Sequence, residues 1–416
     1  MTVPANRSGE WRTGWRLVIA AFCGFSFFSL MTASLGVFIA PLGQEFGWGR
    51  TLLSGGVAIA SLAAAVLSPF FGALIDRYGS RRVAMPGLVA TSVAIALFST
   101  TSGSPVQWLL LWAFYAVISI SVKTTVWTAA ISHHFTAARG MALAVTLSGT
   151  AAAQAIVPPI ATWLIQEHGW RNAYLALGGG WGSLTLLVCY AFLRDSKVRP
   201  LPADREAGAP PQPLLAGLTI PEALRNRALW QINLASLIML ALTIGLMVHQ
   251  IPILTGAGLS RANSAMLASL GGLAGIAGKL ITGTLLDRLD PRLVGGVTLG
   301  VTALAFVLLL DGLRTYPLMI AAVLINGYGA GCALQIGSYL TAQHAGMKNF
   351  GAIYGGMTSV VAIGSGLGPV LAGAAFDQTG NYDTFLIGGT IGCVLCGALT
   401  LLLPSTPTWS SSDAGQ

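Results

Sequence analysis

Two lysines interrupt the long apolar runs of this chain, Lys123 in the fourth and Lys279 in the eighth, and none of its 14 acidic residues lies in the middle of any such run. Burying a charge in a bilayer costs several kcal/mol unless it faces water or a partner, so a lysine in a span marks a site by default. Cations without a nearby acid attract an organic anion and disfavour an organic cation. The bland alternative for each lysine is a side chain snorkelling toward the headgroups. At about 1.5 Å per residue, Lys279 stands about 12 Å above Asp287 and Lys123 about 15 Å above the His133-His134 pair. The two lysines are therefore expected at similar depth, in opposite halves of the chain, beside a central cavity. His249, Gln250, Asn326, Tyr328, Gln335 and Tyr339 are expected to supply a supporting polar shell, with His249 as an outer-gate hydrogen bonder or proton carrier. Interhelical hydrogen bonding accounts for the polar residues of the tenth run equally well. Phe27, Phe28 and Trp127 read either as apolar walls or as aromatic packing.

The elements that must position these residues follow from composition. Hydrophobic residues make up 54% of the chain and charged residues 9%, a balance that only lipid can solvate. Twelve apolar runs, each long enough to cross a bilayer as a helix, fall in two groups of six. An offset of 211 residues relates the groups: Gly72-Ala73-Leu74-Ile75-Asp76-Arg77 returns as Gly283-Thr284-Leu285-Leu286-Asp287-Arg288. Pro41, Gly47, Arg50, Arg81, Gly140, Pro158 and Leu175 map in the same way onto Pro252, Gly258, Arg261, Arg292, Gly351, Pro369 and Leu386. The expected fold is an all-α membrane protein of twelve transmembrane helices in two pseudo-symmetric six-helix bundles. Residues 1–193 and 230–416 form the halves, and residues 194–229, with the run Ala209-Pro210-Pro211-Gln212-Pro213, a solvated linker. Ile220 to Arg225 is expected as a short helix leading into the seventh span, and the Ser-rich tail after Pro404 as disordered.

The net charge of +8 follows orientation and not nucleic-acid binding. Sixteen Lys and Arg fall on the side of the termini and linker against four (Arg50, Arg171, Arg261, Arg314) on the other, which predicts cytoplasmic termini and linker. A multi-pass protein of a bacterial inner membrane is the expected setting. No cleavable leader is evident, the first apolar run itself serving as the insertion signal. Cys23, Cys189, Cys332, Cys393 and Cys396 all lie in apolar runs and are expected to pack or face lipid, with no metal or redox role. No Ser/His/Asp set, metal cluster or paired acid appears in the spans, so an enzyme is not expected. No nucleotide-binding signature is present, so no cofactor is expected, and the driving force must be a proton, another ion or a counter-anion.

The segment from Gly72 to Arg82 fits the GxLxDRxGxRR signature through Asp76, Arg77, Arg81 and Arg82, with Asp287 and Arg288 as its reduced copy. On these residues the chain resembles the major facilitator superfamily along essentially its whole length. The resemblance implies a cytoplasmic gate at Asp76, Arg77, Arg81, Arg82, Asp287 and Arg288, whose ion pairs lock and release as the halves tilt. Within that superfamily it is most similar to the monocarboxylate transporter and oxalate:formate antiporter branch. The residues are Phe135, Arg139, Ala142 and Gly149, the run Gly169-Trp170-Arg171-Asn172-Ala173-Tyr174, and His249-Gln250-Ile251-Pro252 with Gly258-Leu259-Ser260. That branch carries a cation eight residues before the helix-end Asp of the eighth span, and here it is Lys279. Where the animal-type carriers place an Asp one turn before it, this chain has Gly275, and it has no lysine in the first span and no cation in the eleventh. The function expected from the resemblance is secondary transport of a small monocarboxylate or related organic anion. A drug or hydrophobic-compound exporter and a transporter-like sensor are the rival readings.

Overall fold

The computed structural model describes residues 7–135, 138–193, 217–346 and 348–405, and for Arg7, Ser8, Pro69, Ala73, Asp76, Ser132, His133, Arg139 and Gly140 the backbone alone. The Pro-rich part of the linker and the tail beyond residue 405 lie outside the described residues. Among the described residues there is no strand, and ten helices are long and apolar enough to cross a membrane. One of the ten, Met141–Phe192, holds two crossings, and Pro291–Val307 is a further, shorter apolar helix. Twelve helices result: α1 (Arg7–Phe46), α2 (Arg50–Tyr78), α3 (Ser80–Leu97), α4 (residues 105–134), α5 (residues 139–168) and α6 (residues 170–192) form the first set. The second comprises α7 (Arg227–Gly256), α8 (Arg261–Leu286), α9 (Pro291–Val307), α10 (Tyr316–Ala345), α11 (Phe350–Thr379) and α12 (Asp383–Leu401).

The repeat inferred from side chains is written into the backbone. Gly47 and Gly258, 211 residues apart, both adopt positive φ (68° and 95°), as do Gly169 and Gly380 (78° and 76°). These four turns reverse the chain between α1 and α2, α5 and α6, α7 and α8, and α11 and α12. Such φ values are cheap only for glycine, which is why the residue recurs at both copies. The chain divides into two compact units, Met1–Leu201 with Gly258–Gly272, and Pro202–Ala257 with Leu273–Gln416.

The first unit is packed around aromatic rings. Phe38 of α1 stacks on Tyr174 of α6 with ring centroids 4.0 Å apart, and Phe98 meets Trp108, Trp112, Tyr115 and Tyr174. Helix α1 starts about ten residues before its apolar run, because Trp11 packs edge-on against Phe135 and the Glu10 carboxylate accepts the Ala138 N–H at 2.9 Å. The loop after α4 thereby gains a partner from the polar start of α1.

In the second unit the end of the linker plays the same part. Leu218 donates its N–H to the Ala345 carbonyl at 2.8 Å and accepts from the Asn349 amide at 2.9 Å, so the linker is tied to the α10–α11 loop. The expected short helix is present at Ile220–Arg225, opened by a reciprocal Thr219–Glu222 capping box. The Thr219 N–H holds the Glu222 carboxyl below the usual carboxylate range. Cys393 and Cys396 of α12 are buried against α7 at Met239 and Ala235.

Candidate functional site

Lys279 projects from the stripe of α8 that faces α10. Helical spacing puts Gly275 one turn before it and Thr282 and Gly283 one turn after. All three meet α10: Thr282 Oγ1 lies 2.9 Å from Tyr328 Oη, and a Cβ on Gly283 would reach the Gln335 amide at 2.7 Å. A Cβ on Gly275 would stand 3.2 Å from the Gly327 carbonyl, and one on Gly331 would collide with the Gly275 carbonyl itself. Backbone touches backbone here, because glycine faces glycine. Lys279 is half-buried and makes no hydrogen bond or ion pair among the described residues.

The polar shell read from the sequence divides in two. Tyr328, Gln335 and Tyr339 share one face of α10 by helical spacing, and Tyr328 and Gln335 meet α8 at Thr282 and Gly283. Asn326 lies on another face with Gly329, which meets Thr302 of α9 and Met239 of α7, and its Oδ1 is buried without a partner. His249 is fully buried near the far end of α7, with Nδ1 2.8 Å from Tyr382 Oη and Nε2 2.9 Å from the Pro369 carbonyl. It ties α7 to α11 and to the start of α12. Gln250 beside it is buried, with its Nε2 unpartnered.

Lys123 departs from the expected continuous fourth span. Helix α4 runs from Pro105 to Ser119, tightens into a 3₁₀ turn at Ile120–Val122, and restarts as Thr124–His134, with Lys123 itself extended (φ −74°, ψ 172°). The Val122 carbonyl freed by the interruption accepts the Trp127 indole N–H at 2.7 Å. The Lys123 ammonium donates to Ser68 Oγ of α2 at 3.4 Å. Trp127, read from sequence as a wall or packing residue, is fully buried against Gly24 of α1, where any side chain would collide with the ring. Neither Ser68 nor the helix break carried a signal in the sequence, since nothing about Ser119-Ile120-Ser121-Val122 excludes a regular helix.

The signature arginines lie at helix ends. Arg81, at the start of α3, donates Nη1 to the Leu193 carbonyl and Nη2 to the Tyr190 carbonyl at 3.0 Å, capping the end of α6. Its repeat counterpart Arg292 donates to the Leu403 carbonyl, just beyond the end of α12, at 3.2 Å and pairs with Asp290 at 2.9 Å. The Arg77 guanidinium lies over the Tyr78 ring, while Arg82, Asp287 and Arg288 are exposed. The Asp76 side chain lies outside the described residues.

At the opposite end of the first unit, a cluster unforeseen from the sequence explains the Gly169-Trp170-Arg171 run. Glu45, at the end of α1, accepts the Trp170 indole N–H at 2.5 Å and pairs with Arg171 at 2.7 Å, and Arg171 stacks over Trp170. Gly169 supplies the positive φ that turns both residues back onto α1.

The family model for the Major Facilitator Superfamily matches residues 20–313 and 251–416 of the chain. Monocarboxylate transporter 13 of Bos taurus is 25% identical over 97% of this chain and 93% of its own length. Monocarboxylate transporter 11 of Homo sapiens is 28% identical over 95% and 84%. Among solved structures, a bacterial homolog of the human lysosomal transporter Spinster, inward-facing and unoccupied, superposes with a TM-score of 0.70 at 14% identity, covering 96% of this chain and 97% of that one. A mutant of the nucleoside transporter NupG gives 0.72 at 14% identity over 94% and 99%.

Proposed function

Because the chain belongs to the Major Facilitator Superfamily, we propose that it is a secondary transporter of a small monocarboxylate or related organic anion, working by alternating access with Lys279 as the carboxylate's partner. The observation that carries this reading is an ammonium inside a membrane helix, unpartnered among the described residues, at the point where α8 packs on α10. Such a charge is tolerated where water or a ligand reaches it. The printed names of the relatives, monocarboxylate transporters, agree with an anion as the cargo. Tyr328, Gln335 and Tyr339 supply donors along the adjoining face. Lys123 is the second positive group, and His249 acts by bracing α7, α11 and α12. In this reading Asp76 and Asp287 with Arg77, Arg82 and Arg288 form the cytoplasmic gate, Arg81 supports it through the end of α6, and both termini are cytoplasmic in a bacterial inner membrane.

The coupling arrangement differs from one built on an acid beside the cation. The position one turn before Lys279 is Gly275, packed closely on the α10 backbone, and carries no acid. A proton gradient, another ion or a counter-anion must therefore act through other groups.

Purified protein in vesicles, given acetate, lactate and pyruvate with and without an imposed pH gradient, tests the reading. Lys279→Gln should abolish uptake with folding intact, and Lys279→Arg should retain part of it. Uptake by the Gln variant at the wild-type rate overturns Lys279 as the partner. Failure of wild-type vesicles to take up any of the three overturns the substrate class.

A further inference from the structure

The interruption of α4 is a feature of the first repeat only. Its counterpart α10 is an unbroken helix through Leu334, the position equivalent to Lys123. Every residue that makes the break differs in the second copy: Trp127 corresponds to Ser338, Gly24 to Ala235 and Lys123 to Leu334. The fold therefore does not require it.

Its effect is to deliver one charge to one place. An α-helix continuing through Val122 would supply its carbonyl with the N–H four residues on; here the N–H of Val126 turns to the Lys123 carbonyl instead, at 3.1 Å. The carbonyl left over is bonded by Trp127, whose ring is fixed against the bare backbone of Gly24. On the other side of the break, Ser121 fills the space beside Gly87 of α3 and bonds the Ile118 carbonyl at 2.6 Å. Between these two fixed points the lysine reaches α2 and bonds Ser68. Ser68 is the residue that the 211-residue offset equates with Lys279. The ammonium of Lys123 thus sits, within the first unit, beside the position that carries the ammonium of Lys279 in the second.

We propose that Trp127 is a positioning residue for anion transport: its hydrogen bond to Val122 holds α4 open, so that Lys123 presents its ammonium at the place in the first repeat equivalent to Lys279. This rests on the reading of the lysines as the anion's partners given above. The ligand chemistry that Lys123 would take is an anionic or strongly accepting oxygen.

The test is a double-mutant cycle on uptake of whichever of acetate, lactate and pyruvate the wild-type vesicles take up fastest. Trp127→Phe removes the N–H together with the outer ring that lies against Gly24. It should raise KM about three- to tenfold, the range that one lost hydrogen bond gives. In a Lys123→Met background, where KM is already raised, the same change should have no further effect, because it acts through a lysine no longer present. Thermal unfolding of all four proteins records whether each variant folds. An equal increase in both backgrounds, or none in either, overturns the positioning role. If Lys123→Met leaves KM unchanged while Lys279→Gln abolishes uptake, this inference falls and the Lys279 reading stands. If no variant or wild-type vesicle transports, both fall together.

Discussion

Gly275 shows how a single missing side chain bears on coupling. With 3.2 Å from its would-be Cβ to the Gly327 carbonyl, a side chain there requires the α10 backbone to yield by a few tenths of an ångström. Gly275→Asp should therefore destabilise the protein by about 1–3 kcal/mol through overpacking, measured as a lower melting temperature. The Tyr328–Thr282 bond, one turn from Lys279, invites a gentler change. Tyr328→Phe should cost about 1 kcal/mol of stability and slow uptake, and Thr282→Val added to it should cost little more, because both remove the same bond. Non-overlapping losses in thermal unfolding would show that the two hydroxyls act separately. Lys123 and Lys279 were legible in the sequence because a charge in an apolar run stands out without any knowledge of packing. Ser68 and Glu45 were not, since each is an ordinary residue until the chain is folded and its partner is brought to it from another helix, and Trp127 was legible only as a wall or packing residue.

At the scale of helices, the signature arginines do more than crowd one side of the membrane. Arg81 satisfies carbonyls at the exit of α6, groups that no helix can satisfy for itself, and Arg292 takes the Leu403 carbonyl just past α12. Arg81 bonds two carbonyls with its planar fork, which an ammonium cannot reproduce. Arg81→Lys should therefore lower the melting temperature nearly as far as Arg81→Ala, and full rescue by lysine would count against the capping role. Asp290 caps the start of α9, accepting the Arg292 N–H, and the Arg292 guanidinium beside it holds its carboxyl below the usual carboxylate range. A depressed value stabilises the fold above the unfolded carboxylate range and ceases to do so as pH falls through the folded value. Wild type and Asp290→Asn should thus differ in melting temperature near neutral pH and converge in acid. The number of helices and their order followed from hydrophobic runs alone. The break in α4 and the early start of α1 did not, because both depend on contacts with Trp127, Phe135 and Ala138 that no local pattern encodes.

For the molecule as a whole, the duplication is the property that sequence and structure share most fully. It was visible in side chains at an offset of 211 and reappears in glycine backbone angles at the turns. Gly169→Ala and Gly380→Ala should each cost about 1–2 kcal/mol, the penalty for a side chain at positive φ, and the two should add because they lie in separate turns. Thermal unfolding of the single and double variants checks both points. Those same turns bear on how the protein can be handled. A chain that passes from α5 to α6 through one glycine, and from α1 to α2 through residues 47–49, offers almost nothing on that face to a protease, a glycan or an antibody. The segments around Gly103 and Gly312 are the longer connections there, ending at Pro105 and at Tyr316. With the orientation proposed above, an epitope inserted at either should be accepted and stained from outside in intact cells, whereas one inserted at Gly169 should abolish expression.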